Sequence, residues 1–245
     1  MAHHSETKFN LDRYDHLLLD MNGTFVFDFD RFGPEQNFGA TYAALGYRSL
    51  GQEEAHRRVR AAHDYMAARY VNEAYYANFP SVAEAVAQTS PKALTTEVIN
   101  ELVATFAAHE LGVLPSGYKV ALKNLSDRKP LSVLSNLWCP KERWLDQFAQ
   151  WGIADYFRSR HFSSDGREIK PHPVFFNRAL QPIWQGNPAA RVLYVGDSYR
   201  CDVLGAVAAG IDAVWLSTDE SVRITEGQPV AKFANLLEFE EATNN

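Results

Sequence analysis

The stretch from His16 to Thr24 constrains the fold of this chain most strongly. Its apolar run, Leu17 to Leu19, has the length of a short buried strand, and Asp20 follows directly. A carboxylate at the edge of an apolar core costs free energy unless it is paired or bound to something. Gly23 and Thr24 then indicate a tight turn with a hydroxyl directed back toward the strand. The pattern predicts a strand that delivers a functional aspartate.

Two later apolar runs end in polar residues of the same character. One run, 131–134, precedes Ser135, and the other, 192–195, precedes Gly196 and Asp197. If these runs are parallel neighbours of the first strand, their carboxyl ends bring the polar residues into one crevice. Ligands bind at that edge of open α/β sheets.

Apolar runs alternate with helical patterns from residue 113 onward. Short connections between such elements are typical of a parallel, doubly wound sheet. The predicted fold class is therefore α/β, with a Rossmann-like core. The predicted helices cover residues 115–125, 141–150, 174–180 and 202–209, and the predicted strands cover residues 131–134, 192–195 and 213–216.

The region between the first strand and residue 113 has a helical character. Residues 52–70 carry one apolar stripe, residues 81–84 form a capping-box pattern, and residues 96–109 form another amphipathic helix. We therefore predict a catalytic core made of residues 1–27 and 113–245, with a helical cap at 28–112. At the start of the cap, Phe25–Phe32 alternates aromatic and acidic residues and predicts a hairpin-like flap. The cap tyrosines, Tyr65, Tyr70, Tyr75 and Tyr76, are interpreted as packing residues.

Composition excludes several classes of function. The chain has 245 residues, 46% of them hydrophobic, and a net charge of −6 without a run of Lys and Arg, which argues against nucleic acid as a partner. No stretch has the apolar length of a membrane span, and the polar start lacks a signal-peptide core. We expect a cytoplasmic monomer or homodimer. Cys139 and Cys201 are expected to be free thiols.

Four separated motifs occur in an order that resembles one known family. They are Asp20–Thr24, Ser135–Asn136, Lys170–Pro171 and Gly196–Asp202. The chain resembles the haloacid dehalogenase-like (HAD) hydrolases, in particular their phosphatase branch with a helical cap inserted after the first strand. The four motifs together are far more specific than any one of them.

The resemblance implies a nucleophile and a metal site. It implies that Asp20 attacks phosphorus and forms an aspartyl-phosphate. It also implies Mg²⁺ as cofactor, held by Asp20, the main-chain carbonyl of Asn22 and Asp197, a ligand set of the kind Mg²⁺ prefers. Asp202 is expected to support the metal site, and it can also act as a helix cap in its turn.

The resemblance also implies a phosphate cradle. Lys170 would offset the charge of the nucleophile and the phosphate. Ser135 and the amide of Asn136 would hold a phosphoryl oxygen. Thr24 would either bind the phosphate as well or only stabilise the turn after the first strand. The implied partner is a small phosphorylated metabolite.

Asn22 departs from the family pattern. Phosphatases of the resembled family carry a second aspartate there, which protonates the leaving oxygen and then activates water, and an amide can do neither. One interpretation is a slow or specialised phosphatase in which Asp28 or Asp30 protonates the leaving oxygen. Alternatives are a dehalogenase-type carbon–halogen hydrolase, a phospho-ligand binding or regulatory protein, and an engineered Asp→Asn exchange. Retention of Asp197 and Asp202 argues against the metal-free dehalogenase reaction.

Overall fold

The computed structural model describes residues 8–222, 224 and 227–244. Within these residues six parallel strands form one sheet in the order β3-β2-β1-β4-β5-β6. The strands are β1 (His16–Leu19), β2 (Leu131–Ser135), β3 (Phe157–Phe162), β4 (Val192–Gly196), β5 (Asp212–Leu216) and β6 (Ala231–Phe233). The prediction of a doubly wound, Rossmann-like α/β fold is confirmed.

Helices lie on both faces of the sheet and in one segment between β1 and β2. They are α1 (Phe38–Ala44), α2 (Gln52–Tyr70), α3 (Val82–Thr89), α4 (Thr96–Glu110), α5 (Ser116–Arg128), α6 (Lys141–Trp151), α7 (Pro173–Gly186), α8 (Leu204–Ala208) and α9 (Leu236–Thr243).

Two predicted helices differ from the structure. The helix predicted at 174–180 continues through Pro182 to Gly186, because its apolar face packs on the sheet and outweighs the local effect of the proline. The helix predicted at 202–209 is split, since Tyr199–Val203 form a π-helical turn before α8. Sequence periodicity does not distinguish these cases.

The central strands are buried on both faces, as parallel strands between helical layers are. On one face Leu17 and Leu19 pack in the cluster that includes α5, α6 and α9 residues, and on the other Leu18 packs toward α7 and α8. In the register Leu19 lies opposite Val133 of β2 and Val195 of β4. The residues that follow these three strands therefore meet at one edge.

Helices α1 to α4 have an apolar cluster of their own. The stripe predicted on α2 is confirmed, because Ala55, Val59, Ala62 and Met66 are all fully buried. The capping box is also confirmed: Ser81 Oγ accepts from the N–H of Glu84 at 3.2 Å, and the Glu84 carboxylate accepts from the N–H of Ser81 at 2.9 Å.

The predicted hairpin-like flap at Phe25–Phe32 is wrong. Phe27 lies where the chain leaves the sheet after β1, and it pairs instead with Val113, where the chain returns toward the sheet before β2. The pair is joined by N–H···O bonds of 2.9 and 2.7 Å. Arg31 then donates to the carbonyl oxygens of Leu111 and Ala108. The partner of this segment is about 80 residues away, so a local period-two pattern misassigned it.

Both cysteines are free, as predicted, and both are buried. In the described part of the chain, no helix combines the length and apolar character that crossing a bilayer requires.

A buried histidine at the amino end of β1 leads to a pH prediction. His16 Nε2 hydrogen-bonds to Ser132 Oγ at 2.9 Å, and burial, with Arg158 and His161 nearby, lowers the pKa of His16 to about 4. The unfolded chain therefore binds more protons between about pH 6.5 and pH 4, and the folded state loses stability as the pH falls through that window. We expect His16→Gln to remove a pH-dependent contribution of about 2 kcal/mol to the free energy of unfolding, measured by urea denaturation. A stability difference between wild type and variant that does not change from pH 7 to pH 4 would contradict this.

Candidate active site

A lysine forms the centre of the crevice at the carboxyl ends of β1, β2 and β4. Lys170 Nζ donates to Asp20 Oδ1 at 2.6 Å, to Asp202 Oδ1 at 2.6 Å and to the hydroxyl of Tyr194 at 2.9 Å. All four side chains are buried. A buried ammonium with this many partners is held in one position.

The charge of Lys170 is maintained by its neighbours. Burial alone would lower the pKa of Lys170, but Asp20 and Asp202 outweigh that effect and raise the pKa well above its usual value. The site therefore keeps a fixed positive charge beside the Asp20 carboxylate.

Asp197 completes a cluster of three carboxylates. Carboxylate oxygens of Asp20, Asp197 and Asp202 lie within 4.8 Å of one another. Burial raises the pKa of Asp197 to about 8, with further contributions from Asp20 and Asp202. A divalent cation would remove the repulsion that disfavours this charge. The donor set fits Mg²⁺, which prefers carboxylate oxygens.

Gly23 allows the turn after β1 to approach this cluster closely. A Cβ added at Gly23 would lie 2.4 Å from Asp197 Oδ2, and the residue has a φ of +80°, a conformation that glycine adopts without strain. The turn after β1 and the loop after β4 are therefore packed directly against each other.

Three of the buried polar side-chain atoms that lack a hydrogen-bond partner belong to the turn after β1 and the end of β2. Among the described residues, Asn22 Oδ1, Thr24 Oγ1 and Ser135 Oγ make no hydrogen bond. All three belong to segments that follow β1 or end β2, so they share an edge with the carboxylates. Buried polar atoms are normally satisfied, and unsatisfied ones at a strand edge indicate a missing polar ligand.

Asp202 is already engaged by protein groups. Its Oδ1 accepts from Lys170 and lies 3.1 Å from the Tyr194 hydroxyl, and its Oδ2 accepts from the N–H of Ser198 at 2.8 Å. Ser198 Oγ in turn accepts from the N–H of Cys201. Asp202 thus holds both the lysine and the turn after β4. The prediction that Asp202 is the helix cap is wrong, because Ser198 is the N-cap residue and Asp202 lies within the turn.

The two alternative acids lie in residues 25–32, between β1 and α1. Asp28 and Asp30 are exposed, and in the described part of the chain neither hydrogen-bonds to Asp20 or Lys170.

Sequence analysis missed Tyr194 and Glu110. The Tyr194 hydroxyl accepts from Lys170 and donates to the carbonyl oxygen of Leu134 at 2.9 Å. A tyrosine within an otherwise aliphatic strand is the signal that could have indicated it. Glu110, the last residue of α4, accepts from the N–H groups of Trp138 and Cys139 at 2.6 and 2.7 Å and so holds the loop after β2. No local pattern distinguishes it from other helix-end glutamates.

The side chain of Asn136, a predicted phosphate ligand, is engaged by other protein groups. Its side chain bonds to the main chain of Lys170 and to the hydroxyl of Tyr70, a tyrosine that sequence analysis interpreted as packing. A phosphoryl contact of Asn136 is therefore left to its main-chain amide.

A family model described as haloacid dehalogenase-like hydrolase matches residues 14–210. The pyrimidine 5′-nucleotidase YjjG of Escherichia coli is 33% identical over 91 residues, which cover 37% of this chain and 40% of YjjG. The chain spans about two-fifths of the length of the curated relatives it matches.

Two solved structures share the fold over nearly the whole chain. The putative HAD-hydrolase YfnB from Bacillus subtilis, bound to magnesium, is 16% identical with a TM-score of 0.57, covering 95% of this chain and 99% of its own. A 2-haloacid dehalogenase from Pseudomonas syringae is 17% identical with a TM-score of 0.64, covering 94% and 97%. At these identities the likeness shows the fold alone.

Proposed function

The chain belongs to the haloacid dehalogenase-like hydrolases, and we propose that it is a Mg²⁺-dependent phosphatase of small phosphorylated metabolites. The observation that carries the proposal is the arrangement of Asp20 against Lys170, with Asp197 and three unsatisfied buried polar atoms at the same edge. This set offers a nucleophile, positive charge and hydrogen-bonding groups for a phosphoryl group.

In the proposed reaction Asp20 is the nucleophile. One carboxylate oxygen of Asp20 forms a bond to phosphorus while the bond from phosphorus to the leaving oxygen breaks, which gives an aspartyl-phosphate. The leaving oxygen takes a proton from solvent. Water then attacks phosphorus, the bond to Asp20 breaks, and inorganic phosphate and the free carboxylate result.

The surrounding residues compensate the negative charge of both carboxylate and phosphate. Lys170 holds Asp20 in place, and the hydroxyls of Ser135 and Thr24 donate to phosphoryl oxygens. Asp20, the Asn22 carbonyl and Asp197 would hold Mg²⁺, which would supply further positive charge at the phosphoryl group. Asp202 supports this set through Lys170 and the turn after β4.

Within this proposal, Asn22 predicts a low rate of phosphate release. Its amide accepts or donates a hydrogen bond but transfers no proton, so the leaving group departs without general acid assistance. Substrates with good leaving groups are therefore favoured.

We further propose that residues 28–112 act as a cap over the site. This segment contains α1–α4, whose apolar cluster also includes Ile169 of the core, and its two ends pair at Phe27 and Val113. Caps that close over a site exclude water from the reaction. The main-chain pairing at 27 and 113 is the natural pivot of such a closure.

The decisive test measures phosphate release from p-nitrophenyl phosphate and from a panel of nucleoside monophosphates and sugar phosphates. The nucleotides are included because YjjG is named as a pyrimidine 5′-nucleotidase. We expect release that requires Mg²⁺ and falls to background with EDTA, since a carboxylate attacking an anion needs cations beside it.

The same assay separates the alternatives. Chloride release from 2-chloropropionate in the absence of metal would identify a dehalogenase instead. Binding of a phosphorylated ligand with no turnover of any substrate would identify a binding protein.

A further inference from the structure

Tyr70 is the last residue of α2 and reaches from the helical segment to the edge of the sheet. Its hydroxyl oxygen accepts a hydrogen bond from Asn136 Nδ2 at 2.9 Å. Burial, as the largest effect, raises the pKa of Tyr70, so the hydroxyl is neutral throughout the physiological pH range. The group therefore acts as a hydrogen-bonding group and not as a charge.

Asn136 carries this contact to Lys170. Its Oδ1 accepts from the N–H of Lys170 at 2.8 Å, and its Nδ2 lies 3.3 Å from the carbonyl oxygen of Lys170. The amide of Asn136 thus satisfies both main-chain polar groups of the lysine. A reversed amide would set its NH₂ group against the N–H of Lys170, and Tyr70 accepts from Nδ2 only in the observed orientation.

The chain of contacts ends at the nucleophile. Lys170 Nζ lies 2.6 Å from Asp20 Oδ1, so a shift of the Lys170 main chain moves the ammonium relative to the carboxylate. Misplacement of a catalytic group by 1 Å is enough to lower a rate strongly.

We propose that Tyr70 is a positioning residue that sets the place of Lys170 through Asn136 and so couples seating of the cap to the arrangement of the catalytic groups. The inference rests on the proposed function for its kinetic consequence. Tyr70 touches none of the reacting atoms in this proposal.

Other contacts keep the cap seated when the Tyr70 hydroxyl is removed. The N–H of Phe79 donates to the carbonyl oxygen of Arg167 at 2.7 Å, and the N–H of Ile169 donates to that of Tyr76 at 2.9 Å. Arg167 also pairs with Glu84. These bonds hold the cap to the segment before Lys170 when the Tyr70 hydroxyl is removed. That hydroxyl also lies 3.9 Å from Cys201 Sγ, so comparison with the Asn136→Ala background isolates the Asn136 contact.

The experiment is a double-mutant cycle of Tyr70→Phe and Asn136→Ala, with Tyr75→Phe as the matched control. Tyr75→Phe also removes one phenolic oxygen from the cap, but this oxygen is not part of the chain of contacts. We expect Tyr70→Phe to lower kcat about tenfold with KM within about twofold of wild type, the size of effect that one lost hydrogen bond produces. In the Asn136→Ala background the same change should have almost no effect.

A second readout does not depend on activity. Amide hydrogen exchange at the N–H of Lys170 should accelerate at least about tenfold in Tyr70→Phe and not in Tyr75→Phe, because the Asn136 amide is then free to rotate away. A Tyr70→Phe variant that matches Tyr75→Phe in exchange, or whose kinetic loss simply adds to that of Asn136→Ala, overturns the inference. A wild type without phosphatase activity overturns the proposed function, while the exchange result still decides whether Tyr70 positions Lys170.

Discussion

Asp20→Asn abolishes phosphate release, with a fall in kcat of at least about 10³-fold, because an amide does not attack phosphorus to give an aspartyl-phosphate. The substitution is nearly isosteric and keeps an oxygen that accepts from Lys170. Release of p-nitrophenol under saturating Mg²⁺, with inorganic phosphate quantified in parallel, measures the loss.

The matched control for this prediction is Asp146→Asn, which removes a carboxylate from an exposed position on α6. It should leave kcat within about twofold of wild type. Thermal unfolding of both variants shows whether the Asp20 variant is folded. Retention of a tenth or more of the wild-type rate by Asp20→Asn would show that the nucleophile lies elsewhere.

Asn22→Asp raises the phosphatase rate, by about 10²-fold or more for substrates with poor leaving groups. A carboxyl group at this position can protonate the leaving oxygen and then activate water, which is worth about 10²–10⁴ in rate. The substitution replaces Nδ2 by an oxygen and keeps Oδ1, which is buried without a hydrogen-bond partner at this edge of the sheet. Steady-state kinetics on an alkyl phosphate and an aryl phosphate measure the gain, which should be larger for the alkyl ester.

Asn22→Ala controls for the loss of the amide itself. It removes the side-chain oxygen without adding an acid and should not increase the rate. The pH profile of kcat/KM supplies an independent check, because Asn22→Asp should add an ionisation that the wild type lacks. An unchanged or lower rate in Asn22→Asp would mean that the amide serves some other reaction.

The motifs at strand ends were accessible from sequence because each is local. An apolar run followed within one or two residues by Asp20, Ser135 or Asp197 needs no knowledge of the partner strands. The alternation of strands and helices then predicts that the strands run parallel, and the carboxyl ends of parallel strands lie at one edge of the sheet.

The partners of the lysine were not accessible in the same way. Lys170 bonds to residues 150, 32 and 24 positions away, namely Asp20, Asp202 and Tyr194. The segment 25–32 was misassigned as a hairpin for the same reason, since Phe27 pairs with the distant Val113 and not with a residue close to it in sequence.

The sequence by itself determined the fold class, the strand-end residues of the site and the departure at Asn22, because these depend on residue type and short-range order. Only the tertiary structure decided that Tyr70, Asn136 and Tyr194 surround Lys170. Hydrogen bonds between remote segments depend on how helices and loops pack on the sheet, and hydrophobic patterning leaves the direction of a polar side chain open.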